Sequence, residues 1–283
     1  MLKPIALSET HMECCDLKDT VPVLTELLAF EKVAERPGQV TLKHPNTDWL
    51  LTVHEGGNAA AEKQMHNHYG VRVMTTQEVD AACEYLNAHK EQYHLPQIGK
   101  PLNNHGSYSL YFLEPGSNGW EIECYADALR KEIWKTRYGG VWAPHWDRPF
   151  HSERFPGRGY VPQGFTHGTL AIGDHKVSQD FYSNVLGLEV HQANPHVVYI
   201  KHPKTKCYVV CAERNEWKTF SDNFRFTLKA ESAEAVSEAH RWLSDSGKEL
   251  GVAHLGPVQK DGTASFFLLR DPDRNCWEVT SPN

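Results

Sequence analysis

An α+β fold of four βαβββ modules is what this 283-residue sequence predicts. Three observations predict it: the chain repeats itself once, each half divides again, and each quarter reads as a strand, a helix and further strands. Shifted by about 157 residues, Lys43-His44-Pro45 falls on Lys201-His202-Pro203, Thr47 on Thr205 and Glu55 on Glu213. Near the end of each half EPGSNGWEI lies over DPDRNCWEV, which puts Pro115 on Pro272, Asn118 on Asn275, Trp120 on Trp277 and Glu121 on Glu278. Such spacing over nine residues marks a duplication with halves at 1–125 and 165–283.

The elements follow in order. Module one opens on a strand carrying ETHMECCDL. Module two opens on Tyr69 to Met74, followed by a helix with Thr75 and Glu78 as a capping box and Val79, Ala82, Cys83 and Leu86 on one face. In module three Thr169 to Ile172 is strand-like, and Val177, Phe181, Val185 and Leu186 keep helical spacing up to Gly187. Module four repeats the plan, with Ser232 as N-cap, Val236, Ala239, Trp242 and Leu243 inward, and Gly247 just past the end. The connector 126–164, with Trp134, Trp142, Trp146, prolines and arginines, is too aromatic for a flexible linker and is expected to pack on the domains.

Composition removes several function classes. The formal net charge is -7, with 29 basic against 36 acidic side chains and no Lys/Arg cluster, which argues against phosphate-backbone binding and so against nucleic acid. No apolar run approaches the roughly 20 residues of a membrane span, and the start lacks a signal-peptide apolar region, so a soluble, cytoplasmic protein is expected. The 7 cysteines are an odd number without a CxxC pair and read as reduced, mostly buried thiols. The 17 histidines stand out, because imidazole is the commonest metal ligand.

Paired βαβββ modules of this kind resemble the vicinal oxygen chelate superfamily, and the motifs resemble its type I extradiol ring-cleavage dioxygenases. The resemblance implies two open β-barrel domains, and Fe(II) held by one His from the first strand of each module of a pair and a Glu from the last strand of the second module. Carried onto this chain, the ligands are His11, His68 and Glu121, with His11 to His68 and His68 to Glu121 each about one module apart. Two neutral imidazoles and a carboxylate leave a divalent iron an open face, as non-heme iron oxygenases require. The stretch NNHGSYSLYFLEPGSNGWE follows the family signature and supplies His105, Tyr111, Glu114, Pro115 and Glu121. Tyr111 precedes Glu121 by ten residues, an even separation that puts both on one face of extended chain. The resemblance assigns Tyr111 and His105 to hydrogen bonds with substrate oxygens, a role a phenol with an ordinary pKa near ~10 can fill as donor. His54 is a further acid-base candidate, while His66 and His44 are read as surface residues.

In the second half His167 and Glu278 stand at ligand positions, but Asn223 stands where the second His belongs and Leu268 replaces Tyr. The domain 165–283 is therefore expected to be structural and the domain 1–125 to carry the metal. The function implied is Fe(II)-dependent cleavage of a catecholic ring by O2 in aromatic-compound catabolism, with Mn(II) as the other candidate metal, a small aromatic diol and O2 as partners, and a homo-oligomeric state. The alternatives are a glyoxalase-like metal-dependent isomerase, or a metal-free module that binds an aromatic molecule.

Overall fold

The computed structural model of the protein describes residues 1–57, 67–104, 106–125, 155–216 and 218–282. Among the described residues four βαβββ modules are present, the second and fourth with one additional short strand. The first runs β1 (Ala6–Cys14), α1 (Leu17–Pro22, continued by a π-turn over Val23–Leu27), β2 (Glu31–Arg36), β3 (Gln39–Lys43) and β4 (Leu50–Glu55). The second runs β5 (His68–Arg72), α2 (Thr76–Ala88), β6 (Gln97–Ile98), β7 (Leu102–Asn104), β8 (Ser107–Leu113) and β9 (Gly119–Cys124). The third has β10 (Gly164–Ile172), α3 (His175–Asn184), β11 (Glu189–Asn194), β12 (Val197–Lys201) and β13 (Tyr208–Glu213). The fourth has β14 (Arg225–Lys229), α4 (Ala233–Ser246), β15 (His254–Leu255), β16 (Gln259–Asp261), β17 (Ala264–Arg270) and β18 (Cys276–Thr280). None of the described helices is long and apolar enough to cross a membrane.

Local signals account for the helices. Thr75 and Glu78 form the reciprocal capping box of α2, and the Ser232 hydroxyl accepts from Ala235 N at the start of α4. Val177 differs from its reading. It is 52% exposed, while Phe181, Val185 and Leu186 are buried as expected and Ser178 and Tyr182 join them.

The compact units differ from the halves expected from the repeat. Met12–Thr169 form one, and Met1–His11 together with Leu170–Asn283 form the other. Strand pairing is the reason. In the second unit β1 runs antiparallel to β14, from Ala6 opposite Lys229 to His11 opposite Arg225. In the first, β10 runs antiparallel to β5, from Gly164 opposite Arg72 to Gly168 opposite Tyr69, and β5 pairs in parallel with β9, itself antiparallel to β8. The leading strand of module one thus joins module four, and that of module three joins module two.

Each of these antiparallel pairs carries a bulge at the same place, between Leu7 and Glu9 and between Phe165 and His167. An extra residue in one strand reverses which face the following side chains take. Before the bulge Phe165 lies in the aromatic core of its unit, stacked on Trp49 at 4.9 Å and edge-on to Phe30 at 5.3 Å, with Trp120 5.8 Å from Phe30 and 5.4 Å from Tyr69. After it, His167 turns to the opposite face.

The repeated motifs prove structural. His44, read as a surface residue, is fully buried: its Nδ1 accepts from Asn46 N at 3.1 Å, leaving Nε2–H to donate to Pro162 O at 3.1 Å. His202 makes the same pair of bonds, from Lys204 N and to Pro4 O. Glu114 and Asp271 are buried turn carboxylates, accepting from Asn118 N and Asn275 N respectively. Of the connector, residues 126–154, including its three tryptophans, lie outside the described residues. Tyr160 is buried and donates to Leu27 O at 3.2 Å. None of the cysteines is in a disulfide.

Candidate metal centre

The alternation along β5 and β9 builds a polar ladder on one face of the sheet. His68, Gly70 and Arg72 lie opposite Gly119, Glu121 and Glu123 in parallel register, while Tyr69 and Trp120 between them turn to the aromatic core. Across β8, Tyr111 is the direct partner of Glu121. The bulge in β10 then brings His167 opposite Gly70 on the same face.

His68, Glu121 and His167 therefore meet. His68 Nε2 lies 3.1 Å and His167 Nε2 3.3 Å from the same Glu121 oxygen, Oε2, and the imidazole rings stand 5.3 Å apart at 85°. Separations near 3 Å match the edges of a coordination shell with bonds of about 2.1 Å, so these three side chains could hold one divalent cation. Glu121 is fully buried and His167 is 2% exposed.

Neighbouring groups fix these three side chains. The Thr166 hydroxyl has two acceptors for its proton, Glu123 Oε1 at 2.9 Å and Gly70 O at 3.0 Å, which leaves its oxygen to accept from His167 Nδ1 at 2.9 Å. With Nδ1 as donor, the neutral ring presents a lone pair at Nε2, as metal ligation needs. Glu123 is in turn held by Arg72, through Nη2 at 2.6 Å and Nε at 3.2 Å. Burial alone would raise the Glu121 carboxyl, but hydrogen bonds from His167 and His68 outweigh it and hold the group well below the ordinary carboxylate range. Burial likewise pulls His167 down, yet Glu123 and Glu121 push it up to about 9. Without metal, a proton on His167 balances two buried carboxylates. A bound divalent cation would take over that role, and its uptake would release the proton. The donor set, the fixed tautomer and the charge balance all fit a divalent metal.

The site residues read from the sequence are placed as follows. His68 and Glu121 are brought together with His167, not with His11. His11 lies on β1 in the other unit, its Nε2 3.5 Å from Glu9 Oε1. Tyr111 donates to Glu121 Oε1 at 2.8 Å and stacks edge-on to His68 at 5.2 Å, so it grips a ligand carboxylate. His54 lies on β4 opposite Gln39 and is not in the cluster. His105 and His66 lie outside the described residues. Thr166, Glu123 and Arg72 were missed. The signal for Glu123 was present in GWEIEC, whose two acids are two residues apart and so share a face.

The repeat also corrects the comparison between halves. The offset of 158 that aligns His44 with His202 puts Glu9, not His11, under His167, and the shared bulge places the two alike. Arg225, not Asn223, is the counterpart of His68, since it faces Cys276 as His68 faces Gly119. Arg225 Nε donates to Glu278 Oε2 at 2.7 Å. One unit thus holds two imidazoles around a carboxylate, whereas the other holds a guanidinium with the carboxylates Glu9 and Glu278.

Replacing Tyr111 by Phe is expected to leave metal bound but to slow turnover by roughly 10 to 100-fold, the loss that follows removal of an outer hydrogen bond to a ligand. Steady-state kinetics beside metal analysis checks this, and full activity would make Tyr111 a packing residue.

No protein-family model matches the chain, and no curated protein matches it in sequence. Its structure is similar to that of a proposed dioxygenase from Bacillus subtilis, with a TM-score of 0.64 and 13% identity over 99% of this chain and 86% of that one. It is also similar to glyoxalase I from Zea mays, with a TM-score of 0.63 and 13% identity over 99% of this chain and 92% of the other. At such identity the likeness shows the fold, and the chain has the two-domain vicinal oxygen chelate fold.

Proposed function

We propose that this chain is a metal-dependent enzyme of the vicinal oxygen chelate type, and that its centre of His68, Glu121 and His167 holds Fe(II) to cleave an aromatic diol with O2 beside its hydroxyls. The observation that carries this reading is the convergence of His68 Nε2 and His167 Nε2 on Glu121 Oε2, at 3.1 and 3.3 Å. A set of two neutral imidazoles and one carboxylate suits Fe(II), and Mn(II) after it, and leaves the remaining coordination positions open. Ferrous iron would supply a redox-active centre at which both oxygens of a diol and O2 can meet.

The chain's own residues do the rest. Tyr111 fixes the Glu121 carboxylate from the Oε1 side, so that Oε2 faces the imidazoles. Thr166 keeps the Nδ1 proton of His167 directed away from the centre. The Arg72–Glu123 pair anchors Thr166 in the sheet. Trp120, Tyr69 and Phe165 fill the opposite face and exclude water behind the ligands.

Loss of activity in aerobic peroxide, with recovery on adding ascorbate and Fe(II), is the expected behaviour, read as formation of a yellow ring-opened product from catechols. Activity that resists peroxide, or that Zn(II) alone restores, would assign the centre to a glyoxalase-like isomerisation without a redox step. Absence of bound metal after Fe(II) loading would leave the metal-free binding module.

A further inference from the structure

Helix α3 starts on the same double cap as α1. Asp16 and Asp174 are N-caps with extended backbone, accepting from Lys18 N at 2.7 Å and Lys176 N at 2.8 Å. A second carboxylate arrives from the last strand of each module: Glu55 Oε1 accepts from Leu17 N at 3.2 Å, and Glu213 Oε1 from His175 N at 2.8 Å. This is why Glu55 and Glu213 repeat in the sequence.

In module one nothing further is added, because the neighbouring positions are Leu17 and Gly38. The offset of 158 turns these into His175 and His196. Both imidazoles face the same carboxylate, His175 through Nδ1 against Glu213 Oε1 and His196 through Nδ1 against Oε2 at 2.6 Å. Donor atoms of Asp174, His175 and Glu213 lie within 4.8 Å of one another, and His196 adjoins this group through Glu213 Oε2. Capping explains the carboxylate in both modules but explains neither histidine.

We propose that Asp174, His175 and Glu213, with His196 beside the second oxygen of Glu213 at the edge, form a second divalent-metal site, separate from the first centre and suited to Zn2+. Two imidazole nitrogens with carboxylate oxygens are an ordinary zinc donor set. The ligands come from the start of α3, the β11–β12 turn and the end of β13, so one ion ties together three segments of module three. The His196 side chain is 74% exposed and Glu213 22%, which leaves the site open to solvent and to metal exchange.

The test is a Zn2+ titration of metal-depleted full-length protein, followed by measurement of bound zinc after dialysis. H175L/H196G restores what module one already holds at these places and keeps the backbone N–H that Glu213 caps. This variant should bind one equivalent fewer than wild type, with unchanged far-UV circular dichroism. His68→Ala/His167→Ala should keep the zinc that H175L/H196G loses, which separates this site from the first. His196→Ala alone, on an exposed turn, should weaken zinc binding by at least about 10-fold. Equal zinc content in wild type and H175L/H196G, or unchanged affinity in His196→Ala, would overturn the proposal.

Discussion

His167→Ala should empty the metal centre, whereas His11→Ala should leave it loaded. The expectation rests on His167 Nε2 standing 3.3 Å from Glu121 Oε2, within a cluster to which His11 does not belong. Removing an outer-shell partner costs roughly 10 to 100-fold in metal affinity, and removing a ligand should cost more than the upper end of that range. The variant also leaves Glu121 and Glu123 buried without the imidazole that faces both, at 3.3 and 3.7 Å. Some stability should therefore be lost as well, of the order of 3 kcal/mol for a buried ionic network that loses one partner. Metal analysis after anaerobic Fe(II) loading reads the first effect and denaturant unfolding the second. A centre that stays loaded in His167→Ala but empties in His11→Ala would return the ligand set to the one read from the sequence.

Gly70→Ala should abolish metal binding nearly as fully, although it removes no ligand. A Cβ at position 70 would lie 2.1 Å from His167 Cε1, 2.4 Å from His167 Nδ1 and 2.8 Å from Thr166 Oγ1. The imidazole is buried in a packed sheet and cannot yield without leaving both Thr166 and Glu121. The strand itself does not demand glycine here, because the counterpart in β14 is Thr227, where Glu9 takes the place of the imidazole. Overpacking of this kind costs about 1–3 kcal/mol when the fold absorbs it. The expected result is a folded protein with lowered stability and no bound iron. Normal iron content in Gly70→Ala would show that His167 is not held where a metal needs it.

Much of the fold was legible in the chain because its signals are local. Thr75 with Glu78, and Ser232 with Ala235 N, cap helices by contacts within four residues, and those were read correctly. The even spacing of Tyr111 and Glu121 put them on one face, and they are cross-strand partners. The candidate site was legible in part for the same reason: His68, Tyr111 and Glu121 all belong to module two. His11 does not join this cluster, because module two shares its sheet with module three and not with its predecessor. The repeat itself held a warning, since the offset of His44 to His202, carried back to His167, lands on Glu9.

By itself the sequence determined the duplication, the βαβββ order within each module, the helix caps and the strand faces that carry ligands, all through contacts among neighbours in the chain. Only the tertiary structure decided which modules share a sheet. The backbone hydrogen bonds of β5 to β10 and of β1 to β14 would form equally well with other partners, since N–H and C=O groups carry no module label. That choice is settled by burial at long range, with Phe165 packed among Trp49, Phe30 and Trp120, and by bonds such as His44 to Pro162 and His202 to Pro4. Once β10 lies beside β5, the bulge at Thr166 turns His167 toward Glu121, and the third member of the cluster comes from a strand that the repeat alone assigns to the other half.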